Sequence, residues 1–148
     1  MDFTLNFIKF LQACITPVAL ISGIGLLLLT VTNRLGRTID RTMHLVDEMG
    51  KPEVRNKKEK KNEIKILYRR SRYLRLSIGA MVISVISSSL IIPVLFFMTL
   101  FTIDLRIIGY SLFVLSILTI LVSSIYFFID VRLSLHALKL EVREHLDK

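Results

Sequence analysis

The sequence predicts an all-α integral membrane protein: three transmembrane helices with long cytosolic extensions that form a helical bundle, assembled as a homo-oligomer. Three observations carry this expectation. Uncharged runs of 24, 28 and 23 residues lie between Lys9 and Arg34, between Arg75 and Asp104, and between Arg106 and Asp130. A hydrocarbon core of about 30 Å needs about 20 helical residues, so each run is long enough to span. With 53% hydrophobic residues, a soluble domain would need a far larger shell than 148 residues supply. The charges, finally, are segregated. Of 20 Lys and Arg residues, 14 lie between Arg34 and Arg75 and four more from Asp130 onward. Positive residues favour the cytoplasmic side. The amino terminus and the Asp104–Arg106 turn are therefore expected outside, and the middle segment and carboxyl tail in the cytoplasm. The net charge of +8 then reflects topology and attraction to anionic lipid headgroups on that side.

The expected organisation is a single membrane domain over 1–148, with spans at about 11–33, 76–103 and 106–129. A cytosolic helical hairpin covers about 34–75, and a tail helix covers 130–148. The first run is not a secretory signal. MDFTLNFIK carries an acid and one Lys, and the basic residues follow the apolar run instead of preceding it. The first helix should run from near Phe3 to Met49, with Pro17 a place where it bends. Ala19 and Gly23 form a small-xxx-small pair with Ser22 beside them, which suits close helix packing within or between protomers. Gly50 and Pro52 stop the helix. A returning helix from Glu53 leads into the second span, although its start, RNKKEKKNE, is charged enough to be solvated and frayed. Asp104 is placed to cap the third helix, making TIDLR a short outer turn.

Each cytosolic portion carries a narrow apolar stripe. Leu35, Ile39, Thr42, Val46 and Met49 are spaced 4-3-4-3; Ile64, Leu67, Ser71 and Leu74 are spaced 3-4-3; Val131, Leu135, Leu138, Val142 and His145 are again spaced 4-3-4-3. These are heptad seams, which predict a coiled-coil-like bundle. At about 100° per residue, Asn33, Arg34, Arg37, Asp40 and Arg41 share the opposite, ionic face of the first helix.

TPVALISGIGLLLLTVTNRLGRTIDR, LYRRSRYLRLSI and FFIDVRLSLHAL together resemble domain of unknown function 2721, a family of small bacterial membrane proteins. The resemblance extends from about Gln12 to Leu140. Its most specific part is N-R-L-x-R-x-x-D-R, occupied by Asn33, Arg34, Leu35, Arg37, Asp40 and Arg41, with Arg69 and Arg70 as a second match. The family pattern more often has Glu where this chain has Asp130. The resemblance implies three spans in a bacterial cytoplasmic (inner) membrane and brings no established activity.

The chemistry resides in an ionic belt. Arg34, Arg37 and Arg41 leave the first span, Arg69, Arg70, Arg72 and Arg75 enter the second, and Asp130 and Arg132 leave the third. Flanking arginines routinely snorkel and form salt bridges that fix helix depth. Guanidinium groups in excess of carboxylates also bind anions through paired donors, and repeated around an axis they would form the mouth of an ion path, with Asp40 orienting Arg37, Arg41 or a second-helix arginine. Ser84 and Ser88 in the second span, and Ser116, Thr119 and Ser123 in the third, make weakly polar stripes suited to a pore lining or to helix packing.

No charged residue interrupts any of the three runs, which argues against an ion-coupled carrier. His44, Asp47 and Glu48, and Glu141 with His145, are too sparse for a metal site. One cysteine, Cys14, allows no internal disulfide. No nucleophile–base arrangement or phosphate loop appears, so neither an enzyme nor a cofactor is expected. The basic cluster lacks interleaved aromatics, which disfavours nucleic acid. Two functions remain: a homo-oligomeric channel-like protein with a basic cytoplasmic mouth that passes or binds ions, or a non-conducting structural or regulatory protein that docks a partner through its cytosolic helices.

Overall fold

The computed structural model describes residues 2–50, 57–101 and 104–146, except for the side chains of 2–4, 6, 59 and 136–146. It contains three α-helices: α1 (Asp2–Met49), α2 (Lys57–Phe101) and α3 (Arg106–Leu146). Each holds a stretch long and apolar enough to cross a membrane, with mean hydropathy of 2.3, 2.4 and 2.5 in turn. At 1.5 Å per residue, α1 alone is about 70 Å long, more than twice a hydrocarbon core. α1 passes through Pro17 and α2 through Pro93 without interruption.

The helix ends follow local chemistry. α1 stops at Met49, and the Gly50 amide turns back to the Asp47 carbonyl at 3.2 Å. Pro52, and the expected helical start at Glu53, lie outside the described residues. Ahead of α3, Asp104 Oδ1 accepts a hydrogen bond from the Arg106 amide at 3.3 Å, as a helix cap should.

The chain divides into two compact units. One comprises Met1–Leu29 and Gly79–Ser123, the other Thr30–Ile78 and Ser124–Lys148. In the first unit, α2 and α3 meet through serines. The Ser84 hydroxyl donates to the Ser116 carbonyl at 2.8 Å, and both Ser84 and Ser88 hydroxyls lie 2.7 Å from the Ser116 hydroxyl. Such short side chains let two helices approach closely where lipid gives them no hydrophobic reason to associate. Phe10 of α1 packs edge-on against Phe96 of α2, with ring centroids 6.1 Å apart. The outer surface is apolar, as at Leu26, Ile107 and Leu118.

In the second unit Val31 and Leu45 of α1 and Leu67 and Leu74 of α2 form the apolar core. Tyr73 stacks on Tyr126 across α2 and α3, with ring centroids 6.4 Å apart.

Burial along every helix recurs at seven-residue intervals. The series are Pro17, Ile24, Val31, Thr38 and Leu45 on α1, Leu67, Leu74, Met81 and Ser88 on α2, and Ser116, Ser123 and Asp130 on α3; α2 also buries Ser71, Ser77, Ser84, Ser87 and Ile91 between or beside them. A period of 3.5 residues keeps one seam facing its neighbours along helices of this length.

The buried seam matches the expected one on α2, where Leu67, Ser71 and Leu74 are buried and Ile64 half-buried. On α1 the expected seam is only partly turned inward: Leu35, Thr42 and Met49 are half-buried. Ile39 and Val46 are 40% and 48% exposed, while Val31, Thr38 and Leu45 turn inward. The cause is Arg34. The sequence places it on a solvated ionic face, but its charge is compensated inside the unit, and positions 31, 38 and 45 turn inward with it. On α3 Val131 is half-buried and Leu135 is 61% exposed, whereas Asp130 is the inward residue. The side chains of Leu138, Val142 and His145 lie outside the description.

Candidate functional site: a carboxylate between two arginines

Among the described residues Asp130 is the one charged side chain on the buried seam of α3, and its exposure is 0%. Two helices bring it compensating charge. From α1, Arg34 Nη2 lies 3.3 Å from Asp130 Oδ2; from α2, Arg70 Nε donates to Asp130 Oδ1 at 3.2 Å. The two arginine side chains are 26% and 18% exposed. All three helices of the second unit are therefore tied to one carboxylate.

The two contacts differ in kind. Arg70 makes a hydrogen-bonded ion pair. The Arg34 contact is close but not aligned, so Asp130 Oδ2 is buried and accepts no hydrogen bond among the described residues. Arg34 is oriented by other partners. Its Nη2 donates to the Ser134 hydroxyl at 3.5 Å, and its guanidinium lies over the Phe127 ring at 5.2 Å. Ser134 in turn donates to the Asp130 carbonyl at 3.0 Å, which ties this donor path back to the same turn of α3. With two guanidinium groups to one carboxylate, the cluster carries a net positive charge.

A second layer of ion pairs joins α1 to α2. Arg41 Nε and Nη2 donate to Glu63 Oε1 at 3.0 and 2.6 Å. Lys60 Nζ lies 2.8 Å from Glu48 Oε2; within α1, His44 Nδ1 lies 3.6 Å from Glu48 Oε1.

The structure thus splits the sequence-predicted belt. Arg34, Arg70 and Asp130 converge. Arg41 pairs with Glu63, not with Asp40, and Asp40 is exposed. Asn33, Arg37, Arg69, Arg72 and Arg75 are exposed as well, so within one chain they take no part in the Asp130 cluster. Arg132 lies over Phe128 at 4.9 Å, an exposed cation–π contact. Glu63 escaped the sequence reading, although it is four residues before Leu67 and so on the inner side of α2.

The hydroxyls behave differently from one another. Ser84, Ser88 and Ser116 bond across the α2–α3 contact described above. Thr119, half-buried, donates to the Leu115 and Ser116 carbonyls at 2.9 and 3.0 Å, and Ser123 is fully buried. Ala19, Ser22 and Gly23 are exposed on α1, and a Cβ added at Gly23 would meet nothing within 4 Å. Among the described residues this face is not closely packed; small residues favour close helix contact but do not say with which helix. Among the described residues, no group of three His, Cys, Asp or Glu side chains is arranged to hold a metal ion.

No curated protein and no solved structure matches the chain. A family model described as "Protein of unknown function (DUF2721)" matches residues 14–140, nearly the whole chain, and the protein belongs to that family.

Proposed function

We propose that this protein is a non-conducting, multi-pass scaffold of the cytoplasmic membrane that holds a rigid group of helices in the cytoplasm for a partner to dock on. The observation that carries this reading is the Arg34–Asp130–Arg70 tie. It uses the buried charges of the second unit to fix three helices together, and a fixed platform is what docking requires. The hydroxyls offered by the sequence as a pore lining, Ser84, Ser88 and Ser116, are bonded to one another. The outward surface of the first unit is dominated by Leu, Ile, Val and Phe, which suits lipid better than an ion path.

In this reading the amino terminus lies outside and the basic half faces the cytoplasm, where exposed Arg37, Arg72 and Arg75 meet anionic headgroups. The protein self-associates through the open face of α1 at Ala19, Ser22 and Gly23, and it performs no catalysis. The competing reading is a homo-oligomeric ion channel with a path between copies. Ion flux through liposomes carrying the purified protein separates the two. Flux no greater than in protein-free liposomes is expected; protein-dependent flux would overturn the scaffold reading.

A further inference from the structure

The outer face of α2 in the second unit carries a feature that neither the fold nor the buried tie uses. Lys57, Lys61, Lys65, Arg69, Arg72 and Arg75 follow one another at intervals of 4-4-4-3-3 and are all exposed. At 100° per residue they occupy one third of the helix circumference. They form a row about 27 Å long at 1.5 Å per residue. Tyr68, 64% exposed, lies within it. The segment's two acids, Glu59 and Glu63, both fall outside that third, and Glu63 is engaged by Arg41 of α1.

Each of these cations has a like-charged neighbour three or four residues away, an arrangement that destabilises a helix. Among the described residues none of the six has a carboxylate partner. A local cost with no compensating carboxylate among the described residues marks a surface that is compensated from outside.

We propose that this face docks an acidic polypeptide segment with about one carboxylate per helical turn, charge complementarity supplying both attraction and register. The proposal rests on the docking reading above and names the surface and the chemistry of the partner. A membrane surface reaches the Arg72 and Arg75 end of the row and does not account for the rest. Lys57 and Lys65 stand about 27 and 15 Å of helix from Arg75, beyond the Debye length of about 8 Å at physiological ionic strength. Duplex nucleic acid fits poorly too. A major groove about 12 Å wide admits one helix, whereas α2 is tied to α1 through Glu63 and to α3 through Arg70.

The test uses the full chain in nanodiscs of neutral phosphatidylcholine and a fluorescent, glutamate-rich helical peptide as probe. The parent should bind the peptide, more weakly as salt rises. The variant Lys57→Gln/Lys61→Gln/Lys65→Gln should bind at least tenfold more weakly with unchanged helix content. Equal affinity of parent and variant would overturn the proposal. So would tighter binding of a 12-base-pair DNA duplex than of the peptide, or a variant defect confined to phosphatidylserine vesicles. A photo-crosslinker at Lys61 and another at Val46 separate the two levels of the argument. Capture of the peptide at Lys61 supports this face. Capture at Val46 alone would overturn it while leaving docking intact, and protein-dependent ion flux would overturn docking without bearing on the peptide measurements.

Discussion

Asp130 and Asp40 are both single carboxylates among arginines in the sequence, and they have opposite situations in the fold. Asp130 is fully buried between Arg34 and Arg70, whereas Asp40 is exposed. Breaking a buried ion pair leaves the partner charge uncompensated and typically costs 3–5 kcal/mol. Because both arginines keep some exposure, Asp130→Asn should lower the unfolding free energy by about 3 kcal/mol, at the low end of that range. Asp40→Asn should change it by no more than about 0.5 kcal/mol, as surface substitutions do. Reversible unfolding of the detergent-solubilised variants checks both values. Nothing in the local sequence separates Arg34 from Arg37. Both follow an apolar run, and which one turns inward is decided by a carboxylate 96 residues away, a relation that one sequence does not display.

At the scale of the element, helix existence and type were legible because three uncharged runs of 23 residues or more leave little choice in a bilayer. The seam on α2 was legible too, since its apolar residues coincide with its buried ones. The seam on α1 was legible only in part, because Ile39 and Val46 of its most regular apolar stripe are exposed while Leu35, Thr42 and Met49 are half-buried. On α3 the hydrophobic pattern passes over Ser116, Ser123 and Asp130 because they are polar; hydroxyl spacing marked the two serines as a stripe but not Asp130 as its continuation. Ser116 joins two helices, and Ser116→Ala should cost about 1 kcal/mol, the net worth of a typical hydrogen bond, measured by unfolding in detergent. Gly23→Leu belongs to the same scale. A Cβ there meets nothing within 4 Å, so the fold should be retained, while cross-linking between copies should fall if α1 mediates self-association.

For the whole molecule, the two compact units divide the chemistry. The first is held by apolar contacts and short hydroxyl bonds, the second by a buried carboxylate and ion pairs between helices. The sequence showed that its charges lie apart from its apolar runs. It did not show that only three of the belt residues meet, because helical spacing places residues on faces without saying which faces meet. The Arg34–Asp130–Arg70 cluster serves above all to hold three helices together. Buried ion pairs replaced as a set by apolar residues of similar size leave stability near or above its starting value, whereas removing one partner alone does not. The most direct measurement compares the unfolding midpoint of the parent with those of Asp130→Asn and of Arg34→Met/Asp130→Leu/Arg70→Met. A clear drop is expected for the single variant and recovery of most of it in the triple. A single variant as stable as the parent would contradict that role.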